Sequence, residues 1–142
     1  MTIGIERARK IIATALAKGE ELDLKPLTVV VLDAGGAMVA LERTDGSSRM
    51  RPEIATGKAN GAIALGLGSR AIFKRAQEQP YFVQSMNALA GGSLVPVPGG
   101  VLVRDESSAI IGAVGITGDS SDNDEICAVA GIEAVGLVAD PG

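Results

Sequence analysis

The glycines of residues 53–70 limit the possible fold more than any other feature of this sequence. The stretch reads EIATGKANGAIALGLGSR and follows Pro52, a residue that suits the first turn of a helix. Each glycine in a helix interior costs about 1 kcal/mol relative to alanine, so several in one helix need a structural reason. We expect a neighbouring backbone, or a ligand, to lie directly on this helix at its glycines, which are Gly57, Gly61, Gly66 and Gly68.

The core has to be built almost without aromatic side chains. The 142 residues include two Phe, one Tyr and no Trp, although 46% of them are hydrophobic. Val, Ile, Leu and Ala must therefore fill the interior at close packing, which suits thin layers. A chain of this length can bury a core without metals or disulfides, and we expect a single domain over residues 1–142.

Apolar patterns predict helices that alternate with pairs of strands. Thr2 is expected to cap the first helix and residues 121–124 the last one. Asp33-Ala34-Gly35-Gly36 predicts a hairpin turn. The order α-β-β-α-α-β-β-α indicates an α/β (α+β) fold, with an antiparallel sheet of about five strands flanked by helices. The predicted helices cover residues 2–22, 53–70, 80–94 and the segment after 121, and the second of them is followed by a continuation or a further helix to residue 79. The predicted strands cover residues 27–33, 37–43, 99–105 and 109–117.

The net charge of −4 conceals an uneven distribution. Residues 1–75 contain 12 of the 13 basic residues, and residues 76–142 contain 9 of the 17 acidic ones. The two halves are expected to complement each other within a chain or between subunits. The basic half lacks the Lys/Arg density and the aromatic platforms of nucleic-acid-binding proteins, so no nucleic acid partner is predicted.

The cellular location is predicted from two features of the sequence. No apolar run reaches the length that spans a bilayer, so no membrane partner is expected. Cys127 is the single cysteine, and this low cysteine content fits a reducing compartment. We expect Cys127 itself to be a small, buried apolar residue. We predict a cytoplasmic protein.

Six motifs follow one another along nearly the whole chain. They are DAGG (33–36), ERTDG (42–46), EIATGKA (53–59), PGG (98–100), IIGAVGITG (110–118) and DNDEICAVAGIEA (122–134). Together they resemble the GlcG/HbpS-like family, which includes haem-binding proteins and the C-terminal domain of PduO-type corrinoid adenosyltransferases. The resemblance implies a three-layer α/β/α-type domain and a compact oligomer such as an octamer. It also implies haem, or another tetrapyrrole, as the inherited ligand.

The absence of histidine limits the chemistry of any site. Ser-His-Asp and Cys-His catalytic arrangements and the usual Cys/His zinc sites are excluded, and no metal site is predicted. A haem would need Tyr81, Cys127, a methionine or a hydroxyl as its axial ligand, or no protein ligand at all.

Arginines concentrate just before the glycine-rich helix. Arg49 and Arg51 flank one methionine in a loop with no evident structural task. With the backbone N–H groups of the helix start, they predict a cradle for a carboxylate. Arg43 is a further candidate ligand-binding residue.

Lys58 and Glu53 are the candidate catalytic residues. A lysine on a helix lined by glycine and alanine is a candidate for a lowered pKa, and hence for a base or an imine former. Glu53 could take part in proton transfer. The alternative is that Lys58 reaches solvent, or pairs with an acid such as Asp124 across a subunit contact. Asp124 and Glu125, at the start of the last helix, are included among the predicted ligand-binding residues.

The segment Pro98-Gly99-Gly100 is expected to place backbone amides at the mouth of a cleft, opposite Glu53. A Cβ at Gly99 or Gly100 would then collide with a ligand or a neighbouring chain.

Three functions remain open on the sequence. The first is a small-ligand binding protein of the GlcG/HbpS type, with haem or another tetrapyrrole as ligand. The second is a cofactor-independent enzyme for a small organic acid, in which Arg49 and Arg51 hold a carboxylate while Lys58 or Glu53 transfers a proton. The third is a structural oligomer without a ligand. In each case we expect a homo-oligomer of at least four chains.

Overall fold

A computed structural model describes residues 1–142 and contains five helices and five strands. The helices are α1 (Gly4–Glu21), α2 (Arg51–Leu65), α3 (Ser69–Glu78), α4 (Pro80–Leu89) and α5 (Ser121–Ala134). The strands are β1 (Thr28–Asp33), β2 (Met38–Arg43), β3 (Gly100–Arg104), β4 (Ile110–Thr117) and β5 (Val138–Asp140). No helix is long and apolar enough to cross a membrane.

All five strands form one antiparallel sheet in the order β2-β1-β4-β3-β5. The two predicted hairpins, β1–β2 and β3–β4, are confirmed, and β1 pairs with β4 to join them. Asp33 organises the first turn, because its Oδ1 accepts hydrogen bonds from the N–H groups of Gly35 and Ala37 at 3.0 and 2.9 Å. Gly36 adopts a φ of +88° in the same turn. The edge strand β5 has no counterpart among the predicted elements.

The sheet separates two apolar layers because successive side chains of a strand point to opposite faces. Val29 and Val31 of β1 pack with buried residues of α1 and α5. Val30 and Leu32 pack with the alanines of α2 on the other face. The predicted α+β fold and the three-layer arrangement are therefore confirmed.

Close backbone approach explains the glycines of α2 and of the strands below it. A Cβ at Gly100 would collide with the carbonyl of Lys58. On α2 itself, a Cβ at Gly57 would lie 2.6 Å from Val95 Cγ2, and one at Gly61 would lie 2.9 Å from Leu94 Cγ. Val95 also donates its N–H to the carbonyl of Gly57 at 3.1 Å. The expectation of a close neighbouring backbone is confirmed at Gly57, at Gly61 and at Gly68, which lies against Pro141, and it is wrong at Gly66, where an added Cβ would meet no atom within 4 Å.

Two of the predicted helix starts are wrong. α1 follows Ile3, which already has helical angles, and no side chain caps it, so Thr2 is not the cap. α5 is capped by Ser120, one residue before the predicted segment, because its Oγ accepts a hydrogen bond from the N–H of Asn123 at 3.2 Å.

The predicted helix over 53–70 is two helices. α2 ends at Leu65 because Gly66 adopts a left-handed φ of +67°, and α3 begins at Ser69. α3 and α4 pack together through Ile72, Val83 and their apolar neighbours, in a cluster separate from the two layers on the sheet.

Candidate functional site

A buried ion pair lies at the centre of the predicted site. Lys58 Nζ lies 3.1 Å from Asp124 Oδ2, and the two side chains are only 2% and 1% exposed. The ammonium also donates to the carbonyl of Ile116 at 2.9 Å. The N–H of Asp119 donates to Asp124 Oδ1 at 3.0 Å, so both ends of the pair are tied to the backbone.

Burial governs the protonation of this pair. Desolvation lowers the pKa of Lys58, and the charge and hydrogen bond of Asp124 oppose this shift. Desolvation raises the pKa of Asp124 in the same way, against the charge of Lys58. The pKa of Lys58 is therefore shifted in the predicted direction. Its partner is in the same chain, however, and not across a subunit contact.

Arg51 lies beside a small polar cavity at the start of α2. Its Nη1 donates to Thr117 Oγ1 at 2.7 Å and its Nε donates to Ser48 Oγ at 3.2 Å. The cavity has a volume of about 210 Å³. We call it the oxyanion niche; it is lined by Lys25, Pro26, Gly46, Ser47, Ser48, Arg51 and Gly118.

Glu53 lies in a different cavity. This second cavity is an open groove of about 360 Å³ between the start of α2 and the turn that follows α4. Its lining includes the side chain of Met38, which is 54% exposed and which the sequence did not single out. We call it the Met38 groove; it is lined by Met38, Pro52, Glu53, Thr56, Gly91, Gly92 and Ser93.

Four other predicted ligand-binding residues lie outside both cavities. Arg43 donates to the carbonyl of Ser47 at 2.8 Å. Arg49 is exposed and has no hydrogen bond or ion pair. Tyr81 on α4 is 67% exposed. Glu125 is held by Arg70, whose Nε lies 2.9 Å from its Oε2.

The segment Pro98-Gly99-Gly100 is buried, which contradicts its placement at the mouth of a cleft. A Cβ at Gly99, where φ is +117°, would lie 2.7 Å from the carbonyl oxygen of Ile116 and 2.9 Å from Lys58 Nζ. The N–H of Gly100 donates to Ser69 Oγ at 2.7 Å. The bend does lie beside Lys58, but the close approach is to this chain's own backbone and to the ion pair.

Cys127 is closed to ligands. The thiol is buried in the layer between α5 and the sheet, and desolvation raises its pKa to about 11. No group of three or more Cys, Asp or Glu side chains is arranged to hold a metal ion.

The fold is shared with several solved structures. The haem complex of PduOC is 22% identical, with a TM-score of 0.85 over 96% of this chain and 97% of that one. The Klebsiella pneumoniae protein ORFY is 23% identical, with a TM-score of 0.85 over 96% of this chain and 92% of that one. HbpS is 24% identical, with a TM-score of 0.83 over 96% and 92%. No curated protein matches the sequence.

The family model described as haem degrading protein, HbpS-like, matches residues 3–133. This match covers most of the chain and includes both cavities and the buried ion pair. Such a family supports a ligand-binding protein. On this match, together with the shared fold, the chain belongs to the HbpS-like family.

Proposed function

We propose that this protein binds haem or another tetrapyrrole in the Met38 groove. The description of the family names haem degradation, and one solved structure of the same fold is a haem complex. These likenesses suggest the ligand class, and the groove provides the surface that fits it.

Two features of the groove support this ligand class. A methionine thioether is one of the groups that coordinate haem iron, and Met38 is the methionine among the lining residues of the groove. The lining also contains Gly91 and Gly92, where an added Cβ would meet no atom within 4 Å. The groove is therefore open at these two glycines. The presence of an exposed methionine, Met38, in the same groove as these two glycines is the observation that carries the proposal.

The other candidate axial ligands are placed less well. Cys127 is buried with a protonated thiol, and Tyr81 projects from α4 without lining a cavity. Met50 is as exposed as Met38, at 54%, but it lies outside the groove. Met50 therefore provides a matched control for the thioether.

The proposal is tested by titrating haem into the wild-type protein, Met38→Leu and Met50→Leu while recording the Soret band. Haem should bind the wild type and Met50→Leu with the same spectrum, whereas Met38→Leu should give a shifted Soret band, because the thioether is lost at nearly constant volume. Metal-free protoporphyrin, which needs no axial ligand, should bind all three proteins alike. If haem and the metal-free porphyrin both fail to bind the wild type, or if haem gives one spectrum with all three proteins, the proposal is wrong.

The enzymatic alternative receives less support from the geometry. Glu53 lies in the Met38 groove, Arg51 lies in the oxyanion niche, and Lys58 is enclosed with Asp124. The three residues of this alternative therefore do not line one common cavity. The geometry favours one part of this alternative, which is the binding of an anion by Arg51. The open Met38 groove also argues against an oligomer that has no ligand.

A further inference from the structure

We propose that the oxyanion niche is a second binding site, for a small oxyanion such as a carboxylate or a phosphate group. This site is separate from the Met38 groove and goes beyond the proposed haem function. Arg51, Lys25, Ser47 and Ser48 all line this one cavity, and the proposed site uses their guanidinium, ammonium and hydroxyl groups.

Charge is the first reason for this assignment. The lining of the niche contains two cationic side chains and no carboxylate. Arg51 is half-buried, yet no Asp or Glu lies within ion-pair distance of it. The other arginine that starts a helix segment, Arg70, has two carboxylate partners in Asp122 and Glu125. A half-buried guanidinium without a counter-charge is completed by an anionic ligand.

The second reason is that the guanidinium is already oriented. Thr117, a buried residue of β4, accepts from Nη1, and Ser48 accepts from Nε. These two hydrogen bonds engage Nη1 and Nε of the planar guanidinium, whereas Nη2 has no acceptor in the protein. The Ser48 hydroxyl, which accepts from Arg51, retains its own proton for donation. Arg51 is therefore held in one orientation before the ligand binds, which reduces the entropy lost on binding.

Size and polarity define the class of ligand. A cavity of about 210 Å³ with no hydrophobic residue in its lining accepts a carboxylate, a phosphate or an organic acid of a few carbons, and it excludes a tetrapyrrole. The proposal is one of binding alone, because neither Lys58 nor Glu53 lines the niche.

Isothermal titration of acetate, oxalate, phosphate and sulfate into the wild-type protein tests this site. We expect at least one probe to bind; tighter binding of acetate or oxalate would indicate a carboxylate site, and tighter binding of phosphate or sulfate a tetrahedral one. Arg51→Gln should weaken the best probe about tenfold to a hundredfold, as expected for a lost charge-assisted pair of hydrogen bonds. Arg49→Gln makes the same change of charge on an exposed neighbour outside the niche and should leave the affinity unchanged.

Two further variants keep the test decisive if Arg51→Gln folds poorly. Lys25→Gln and Ser48→Ala alter the niche at exposed side chains and should each weaken the same probe. The proposal is overturned if no probe binds the wild type, or if Arg49→Gln weakens binding as much as the niche variants do. Met38→Leu should not affect these titrations, so failure of this site and failure of the haem proposal are distinguishable.

Discussion

Lys58 and Asp124 are the two charged side chains that this chain buries. Burial costs each of them hydration, and the directions of both pKa shifts show that desolvation is the largest influence on each. The pair also links α2 to the start of α5 and to the carbonyl of Ile116 on β4. A buried pair in this position fixes how the two helical layers lie across the sheet.

Removing one charge of this pair should lower the stability of the protein more than removing both charges. Lys58→Met leaves the Asp124 carboxylate buried without its partner, and we expect the free energy of unfolding to fall by about 3–5 kcal/mol. The double variant Lys58→Met/Asp124→Asn keeps the acceptor for the N–H of Asp119 and should be more stable than the single variant. Urea unfolding followed by circular dichroism measures both. A single variant as stable as the wild type would show that the pair is not closed to solvent.

At the scale of elements, α2 depends on strands that carry glycine where the helix crosses them. A Cβ at Gly100 would meet the carbonyl of Lys58, and one at Gly115 would meet the carbonyl of Ala55. Both contacts are with backbone, which cannot rotate away as a side chain can. The helix therefore lies closer to the sheet than a strand of larger residues would allow.

Gly100→Ala should therefore destabilise the protein by about 1–3 kcal/mol or more, because α2 has to move away from β3. Gly35→Ala is the matched control, since its φ is negative and the nearest atom to an added Cβ, Asp33 Oδ1, is 3.5 Å away. Thermal unfolding of the two variants should separate them clearly. Equal melting temperatures would contradict the close approach of α2 to the sheet.

Local patterns predicted most of these elements but not the Met38 groove. The first hairpin depends on residues that are close in sequence, namely the valines of β1 and the turn at Asp33. Its position could therefore be predicted from the local sequence pattern. The groove joins Met38, residues 52–56 and residues 91–93, which only tertiary packing brings together. The edge strand β5 has three residues, too few for a periodic pattern. Of the residues that line the niche, only Arg51 was predicted, because Lys25 is distant in sequence and Ser48 carries no charge.

At the scale of the whole molecule, the glycines of α2 offer no contact surface to another copy of the chain. Gly57 and Gly61 are covered by Val95 and Leu94 of the same chain. Large apolar residues remain exposed on several elements, and the most exposed of them, Leu89, is on α4. Tyr81 is 67% exposed there and Leu89 is 81% exposed.

A homo-oligomer of at least four chains remains our prediction, with α4 in its contacts. An exposed Tyr and Leu on one short helix, of which only Val83 is buried, are typical of a surface that a symmetric copy covers. Light scattering should give at least four times the mass of one chain. Leu89→Arg should lower that mass without changing the circular dichroism spectrum, because this side chain contributes little to the core of its own chain. Leu22→Arg, a matched change at a 40% exposed leucine after α1, should leave the mass unchanged. A wild-type mass equal to one chain would refute the prediction, and an unchanged mass for Leu89→Arg would remove α4 from the contact.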